Sequence, residues 1–353
     1  QTCALPISHP FGGCSSLEKI EIVGAATVIP GRLLCYDEFR NVREIILPRT
    51  VIEIGDQAFA SCTKMEKIRF GEGYEEGRFP EGFEKIGSSA FDGCSSLNCD
   101  LYLPETVISI GDHAFDGCTS IERVKGPIGI SWSLPINIEE FETVGTAEAV
   151  PYGFFKNRAS LKKVVLPETI VTIENSAFYG CSCLNSISFG DEGINGRLPE
   201  TLKDIRKYAF YGCGKLDLEL PEGLETIDEY AFENCSNLDI QVWPQSLKSI
   251  GQFAFAGCTS LQKVDIPEGV QEIPWCGFQG CTGIKELTVS EKVSKIEGFA
   301  FENCSELVRI VSPFVWDQRT FEGSFGGCSK VEEIEVIGDA KTDRKSTRLN
   351  SSH

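Results

Sequence analysis

A unit of 23 residues repeats along the chain, and this period constrains the fold more than any other feature of the sequence. Phe255, Phe278 and Phe301 lie 23 residues apart, and a cysteine stands three residues after each of them. A fixed period of about 20 to 50 residues is typical of a solenoid, because each unit has an apolar face that only its neighbours can bury. The sequence therefore predicts one elongated domain of stacked coils.

The phenylalanine of this unit recurs along the whole chain, and its spacing shows where extra residues occur. The longest step, from Phe115 to Phe155, exceeds one 23-residue unit by 17 residues. We expect about 13 coils in a single domain over residues 9–342, with insertions at 71–79, 126–150 and 190–198. The aligned positions are Phe11, Phe39, Phe59, Phe91, Phe115, Phe155, Phe178, Phe210, Phe232, Phe255, Phe278, Phe301 and Phe325.

Within each unit, alternating apolar residues predict a short strand that is buried on one side. In one unit these residues are Leu261, Val264 and Ile266, and Pro267 ends the strand. Coils of this length, with one strand and a tight return, stack into a parallel sheet with about 4.7 Å between strands. The recurring phenylalanine then predicts a column of buried rings along the core.

Two segments show the full repeat: LPETVISIGDHAFDGCTSIERV (103–124) and LPETIVTIENSAFYGCSCLNSI (166–187). Their shared motif, LPxxxxxIxxxAFxxCxxLxxI, resembles the BspA-type leucine-rich repeats and covers nearly all of residues 9–338. The resemblance implies a leucine-rich-repeat solenoid of the α/β horseshoe class, rich in β-structure, with a parallel β-sheet on the concave face and turns or helical segments on the return. It also implies a surface-exposed or secreted protein that binds other proteins or mediates adhesion.

Eleven of the 16 cysteines occupy one position of the repeat, which indicates a packing role. Side chains in stacked strands have Cβ atoms about 4.7 Å apart, whereas a disulfide needs about 3.8 Å and convergent side chains. We therefore predict a structural ladder of free, buried thiols whose S–H groups meet neighbouring carbonyl oxygens. The ladder comprises Cys14, Cys62, Cys94, Cys118, Cys181, Cys213, Cys235, Cys258, Cys281, Cys304 and Cys328.

The two ends of the chain do not fit the repeat. Residues 1–7 can be written in codons whose reverse complement encodes residues 343–349. We interpret residues 1–8 and 343–353 as adapter-like artefacts and expect neither segment to belong to the fold.

Composition argues against several classes of protein. A net charge of −19 argues against nucleic-acid binding, which needs clustered Lys and Arg, and no apolar run approaches the roughly 18 residues that span a bilayer. His9, His113 and His353 offer no Cys–His or Ser–His–Asp arrangement, and the cysteine spacings offer no second ligand pair for a metal. We predict a monomeric protein that is not an enzyme and has no metal or cofactor.

Outward-facing strand positions are candidates for a binding surface. Two and four residues after the conserved leucine, the middle coils place mostly positive charge on the concave face of an acidic protein, which would suit an acidic partner. Solvated strand edges are the alternative. The candidate residues are Lys67, Arg69, Arg123, Lys125 and Lys163. In later coils the same column alternates in sign and predicts stabilising cross-strand pairs: Lys263, Glu286, Arg309 and Glu333.

Trp132 breaks the repeat inside the longest insertion, beside Ile130 and Leu134. A tryptophan there could be a contact residue for a partner or could cover the disrupted edge of a coil, and the sequence favours neither.

Together these features predict a non-catalytic protein-binding or adhesion module of a surface or secreted protein. Its partner would be a protein or a glycan, bound by the concave face and the 126–150 insertion. The alternative is a structural spacer that displays another domain.

Overall fold

A computed structural model describes residues 16–34, 39–130, 132–190, 193–313 and 323–337. The chain forms a parallel-strand solenoid of about 13 turns, as the repeat predicted. Phe11, Cys14, the two terminal segments and the ends of the predicted 9–342 domain lie outside the described residues.

The described residues form 23 short strands, which fall into two parallel ladders, one on each side of the core. The first ladder contains the longer strands and is hydrogen-bonded as three sheets, in the orders β1-β3-β5, β7-β9-β10-β12-β14 and β18-β20-β22-β23. Its strands are β1 (Lys19–Glu21), β3 (Glu44–Leu47), β5 (Lys67–Phe70), β7 (Leu101–Tyr102), β9 (Arg123–Gly126), β10 (Glu140–Thr143), β12 (Lys163–Leu166), β14 (Ser186–Phe189), β18 (Lys263–Ile266), β20 (Glu286–Val289), β22 (Arg309–Pro313) and β23 (Glu333–Ile337).

The second ladder consists of two-residue strands, each ending in a buried aliphatic residue that closes the other side of the coil. Its strands are β2 (Val28–Ile29), β4 (Glu53–Ile54), β6 (Lys85–Ile86), β8 (Ser109–Ile110), β11 (Ala149–Val150), β13 (Thr172–Ile173), β15 (Asp204–Ile205), β16 (Thr226–Ile227), β17 (Ser249–Ile250), β19 (Glu272–Ile273) and β21 (Lys295–Ile296).

The alternation predicted from the sequence appears in the strands of the first ladder. In β18, Val264 and Ile266 are buried, while Lys263 and Asp265 face outward. Because side chains alternate across a strand, every outward position of this ladder lies on one surface.

The core between the ladders contains a column of stacked rings. From Phe155 to Phe325, neighbouring rings of the column have centroids 4.9 to 5.4 Å apart and lie within 12° of parallel. Rings at this separation gain contact energy in addition to the burial of their apolar area, so the column holds successive coils in register.

The return segments are turns, and the described residues contain no α-helix. The helical detail of the α/β horseshoe class is therefore not confirmed. Each return contains two left-handed residues four positions apart, such as Ser89 with Gly93 and Phe253 with Gly257. A right-handed helix cannot continue through residues with a φ near +60°, so the return stays a series of turns.

The 126–150 insertion is itself a shortened coil. Strand β10 lies between β9 and β12, with Glu140 in register with Arg123 on one side and Lys163 on the other. Between β9 and β10 the described chain forms no strand of the second ladder. The extra residues therefore add one strand to the first ladder without completing a full turn.

The other two insertions fold in similar ways. In the 71–79 loop, the backbone N–H of Gly77 donates to the carbonyl of Ile68 at 2.8 Å. In the 190–198 loop, of which residues 193–198 and Gly190 are described, the N–H of Gly196 donates to the carbonyl of Ile187 at 2.7 Å. Each loop thus returns to the strand that it follows and widens the first ladder locally.

Candidate functional site

All five basic residues predicted for the binding surface lie at outward positions of the first ladder. Lys67 and Arg69 are on β5, Arg123 and Lys125 are on β9, and Lys163 is on β12. The structure divides them into two groups, because β5 belongs to a different hydrogen-bonded sheet from β9 and β12.

The first group is held by carboxylates. Glu76, from the 71–79 loop, forms an ion pair with Lys67 Nζ at 3.0 Å and another with Arg69. Arg69 Nε also lies 3.5 Å from the carboxylate of Glu44. Burial alone would raise the pKa of Glu76, but hydrogen bonds from Lys67 and Arg69 outweigh it and lower the pKa below its usual value. Both cations are therefore committed to the protein's own carboxylates.

Arg123 and Lys125 are also paired. Arg123 lies 3.4 Å from Asp100 and 3.7 Å from Glu140, and Lys125 pairs with Glu142. Glu140 and Glu142 come from the shortened coil, so β10 inserts two negative charges into the predicted positive surface. The surface is a mosaic of both signs rather than a positive patch.

Lys163 differs from the other four basic residues. It is exposed and makes no ion pair within the described ranges of the chain. It borders a small notch of about 210 Å³, which we call the strand-face notch; its lining includes Tyr102, Lys125, Glu142, Lys163 and Val165.

Cations flank Tyr102 at the edge of this notch. The guanidinium of Arg78 lies 4.3 Å from the ring centroid, and Lys125 Nζ lies 5.8 Å from it. Cation–π contacts of this kind hold an aromatic side chain in one position. The strand-face notch therefore combines a fixed ring with one unpaired ammonium group, which suits binding rather than chemistry.

Three omitted carboxylates explain why the sequence predicted a more positive surface. The prediction did not count Glu44, Glu140 or Glu142, because the coils that contain them are shortened. Taking Val42 and Ile138 as the conserved apolar positions of those coils would have found all three, since they lie two and four residues later.

The charged column of the C-terminal coils is in the predicted register. Lys263, Glu286, Arg309 and Glu333 lie opposite one another on successive strands. Arg309 lies 3.2 Å from Glu333, as the alternation predicts, whereas Lys263 pairs with Asp265 of its own strand at 2.7 Å. The cross-strand pairing is thus only partial.

Trp132 is buried, with 7% of its surface exposed. Its ring lies 6.0 Å from Phe115 and 6.1 Å from Phe154, and its Nε1–H donates to the carbonyl of Pro127 at 3.1 Å. These contacts correspond to the second of the two roles left open by the sequence, the cover of a disrupted coil. Trp132 therefore does not belong to the outward surface.

The cysteine ladder forms a column beside the rings. Each of its ten described thiols donates to a carbonyl of the preceding coil: Cys62 to Leu34 at 3.6 Å, and the others to the recurring phenylalanine at 3.0 to 3.4 Å. All 13 described cysteines are free. Burial raises the pKa of Cys181 and Cys281 to about 12, so these thiols stay protonated and unreactive at neutral pH.

Arg158 stands at the ladder position in the coil that follows the shortened one. Its guanidinium donates to the carbonyl of Leu134 at 2.8 Å and to that of Lys156 at 3.1 Å. Burial lowers the pKa of Arg158. The guanidinium of Arg158 thus supplies, toward the shortened coil, the donor that a thiol supplies in the other described coils.

Among the described residues, no three His, Cys, Asp or Glu side chains converge in a way that could hold a metal ion. Within the same ranges, no helix has the length and apolar character that a bilayer crossing requires. His113 is exposed on a return turn, where a hydrogen bond to Asp116 at 2.6 Å raises its pKa.

Stacked coils with parallel strands, a ring column and a thiol column define a leucine-rich-repeat solenoid. The profile of the BspA-type leucine-rich repeat region matches residues 73–133, 148–241, 194–308 and 237–345, with six copies. The chain belongs to the BspA-type leucine-rich repeat family, which confirms the resemblance seen in the sequence.

Two solved structures of leucine-rich repeat proteins are similar to this chain. A leucine-rich repeat protein from Bacteroides ovatus is 24% identical with a TM-score of 0.53, over 91% of this chain and 92% of that one. A leucine-rich cell surface protein from Faecalibacterium prausnitzii is 23% identical with a TM-score of 0.39, over 92% and 88% of the two chains. The likeness to the B. ovatus protein is a likeness of fold. A search of curated protein sequences found no match.

Proposed function

We propose that this protein is a non-catalytic binding module of a surface or secreted protein, and that it recognises a protein partner through the outward face of the first ladder. Membership of a family met mostly in surface proteins supports the location. The observation that carries the proposal is Lys163, an exposed cation without an ion pair among the described residues, beside a notch with a fixed aromatic ring.

The paired charges around the strand-face notch support specificity. Arg123 and Lys125 are oriented by Asp100, Glu140 and Glu142, so their positions are set before a partner arrives. A surface of fixed charges of both signs rejects partners with the wrong pattern and accepts a complementary one. Lys163 then supplies a cation that forms no ion pair among the described residues, and an acidic residue of the partner would meet it.

The experiment compares the chain with two charge reversals on an array of purified extracellular proteins. Lys163→Glu reverses the unpaired charge at the notch, and Lys215→Glu reverses an exposed lysine on a turn. We expect a protein that binds the wild type and Lys215→Glu but binds Lys163→Glu at least about tenfold more weakly, a loss typical of a central interface residue.

Two results would contradict the proposal. If the wild type binds no protein on the array, the solenoid serves as a spacer for another domain. If both reversals weaken binding equally, the effect comes from total charge and the strand-face notch has no special role.

A further inference from the structure

A second cleft lies on the return turns, away from the strand-face notch. It is open, measures about 720 Å³ and is lined largely by tyrosines, so we call it the tyrosine cleft. The volume is within the range of sites for small ligands, about 300 to 1,000 Å³. Its aromatic residues are Tyr152, Tyr179, Tyr208, Tyr211 and Tyr230, and its polar residues include Lys156, Asn175, Lys207 and Glu233.

The rings of the cleft hold one another in place. Tyr179 stacks on Tyr211 at 4.8 Å, and Tyr208 stacks on Tyr230 at 4.7 Å, in both cases within 15° of parallel. Tyr208 also meets Tyr179 and Tyr211 edge to face, at 6.2 and 5.9 Å. Rings that are already ordered lose little conformational entropy on binding, so this surface is preorganised.

The fold does not require aromatic residues at these positions. At the repeat position of Tyr208 and Tyr230, other coils have Gln57, Ser89 and His113. The buried column of phenylalanines is separate and complete without the tyrosines. The tyrosines are therefore additions to the surface rather than parts of the core.

Tyr208 and Tyr230 also adopt an unfavourable backbone conformation. Their φ angles are +59° and +60°, in the left-handed region that bulky side chains rarely occupy. The same conformation occurs at this repeat position in other coils, for example at Ser89, His113 and Phe253. It therefore belongs to the return turn itself, and the case for a binding role rests on the ordered rings and the polar groups beside them.

The charges of the cleft are balanced. Lys207 lies over the rings of Tyr208 and Tyr230 at 5.3 and 5.6 Å and pairs with Glu229 at 2.5 Å. Lys156 lies over Tyr179 at 5.3 Å, and Glu233 supplies a carboxylate to the same cleft. Burial raises the pKa of Glu233, and its nearby charge raises the pKa of Tyr211. A neutral ligand would therefore disturb no existing pair.

Tyr152 provides an open ring at the edge of the cleft. Its exposed fraction is 70%, and its ring contacts no other aromatic ring among the described residues. An exposed ring next to phenol, ammonium, amide and carboxylate groups combines an apolar platform with both donors and acceptors of hydrogen bonds. This combination matches a sugar, which has apolar C–H faces surrounded by hydroxyl groups.

We propose that the tyrosine cleft binds a neutral oligosaccharide chain. Tyr152 would contact a C–H face of one sugar, while the phenol groups, Lys156, Asn175 and Glu233 would hydrogen-bond to its hydroxyls. Because the two stacks of rings run from coil to coil, a linear polymer lying across the coils would meet several of them. The ligand and the surface both differ from those of the proposed protein partner, so the two proposals stand independently.

The test uses the full chain and affinity gel electrophoresis with three soluble neutral polymers, xylan, mannan and mixed-linkage glucan, and with the acidic polymer polygalacturonate. The double variant Tyr152→Asn/Tyr211→Ala replaces two rings with the residues that sister coils have at those positions, Asn175 and Ala60. Trp275→Asn is the matched control, since Trp275 occupies the same repeat position as Tyr152, is 42% exposed and lies outside the cleft.

We expect at least one neutral polymer to retard the wild type and Trp275→Asn alike. The double variant should lose at least about tenfold in association constant, the loss typical of a central aromatic contact, while its thermal unfolding stays cooperative. Lys163→Glu should bind the polymer as the wild type does, which separates this site from the strand-face notch.

Three results would overturn the proposal. The first is that no neutral polymer retards the wild type. The second is that only polygalacturonate retards it, and the third is that the double variant binds the polymer as tightly as the wild type does. If the double variant instead loses a protein found on the array, the cleft is a protein-binding surface and the saccharide assignment is wrong.

Discussion

The regular coils around Phe278 and the shortened coil between β9 and β12 fill the same core with different residues. Phe278 stacks on the rings before and after it at 5.3 and 5.1 Å, and Cys281 donates to a carbonyl of the preceding coil at 3.0 Å. In the shortened coil, the ring of Trp132 meets those of Phe115 and Phe154 edge to face, with centroids 6.0 and 6.1 Å apart. Arg158 replaces the thiol as the hydrogen-bond donor. The stack therefore needs a ring and a donor at each level, but not one residue type.

Removing a ring from the core should give the largest loss of stability in this comparison. Phe278→Ala should lower the free energy of unfolding by about 3–5 kcal/mol, because it removes a fully buried ring and leaves a cavity. Trp132→Ala should cost a similar amount if Trp132 does the same work in the shortened coil. Urea unfolding measures both, and Phe278→Leu is a milder variant that keeps most of the volume. A loss below about 1 kcal/mol for Trp132→Ala would show that the shortened coil does not depend on its ring.

Substituting the hydrogen-bond donor beside the rings should give the next largest loss of stability. Arg158→Cys restores the residue of the regular repeat, yet we expect it to lower the free energy of unfolding by about 1–3 kcal/mol. The carbonyl of Leu134 has Arg158 as its one partner among the described residues. Cys281→Ala should cost less, since the carbonyl of Phe255 also accepts the backbone N–H of Cys258 at 3.1 Å. Equal stability of Arg158→Cys and the wild type in urea would refute the assigned role.

Neutralising a surface carboxylate should change the free energy of unfolding less than the substitutions above, and by different amounts in the two regions. Glu142→Gln removes the partner of Lys125 and should cost about 0.2–1 kcal/mol at low salt, with the difference lost at high salt because the pair is exposed. Glu286→Gln in a regular coil should cost nothing measurable, since Glu286 has no ion pair within the described part of the chain. Thermal unfolding at two salt concentrations checks both, and equal losses would contradict the difference.

The smallest effect concerns acid sensitivity in the regular coils. A hydrogen bond from Lys295 lowers the pKa of Glu297, against burial, with further help from the backbone N–H of Trp275. A carboxylate with a lowered folded pKa adds stability above its unfolded pKa, and this stability disappears as the pH falls through the folded value. Glu297→Gln should therefore be less stable than the wild type at about pH 7 and equal to it below about pH 3. A constant difference at every pH would contradict this.

The sequence predicted the repeat, the strands and the buried columns because their signals are periodic. A residue that recurs every 23 positions must occupy equivalent places in a stack, so Phe278 and Cys281 could be placed without coordinates. The turns of the return were harder to predict. Serine and phenylalanine both occur at left-handed positions there, at Ser89 and Phe253, so residue type alone does not indicate the conformation.

The candidate site was predicted less well, because it depends on where the repeat fails. Lys163 could be placed on the outward face, but whether it forms an ion pair with another described residue depends on which side chains reach it from other coils. Glu140 was missed because its coil has 17 residues rather than 23. The tyrosine cleft was missed for a different reason, since Tyr179 and Tyr208 come from different coils and meet only when the coils stack.

The hydrogen bonds of the thiol column all point the same way. Each S–H reaches toward the coil that precedes it in sequence, so every regular coil offers one acceptor to its successor and takes one from its predecessor. Regular units are therefore interchangeable building blocks. A whole unit can be duplicated or deleted between Phe255 and Cys304 without leaving a thiol donor unpaired. The length of such a protein can therefore change in steps of one coil while its interior chemistry stays the same.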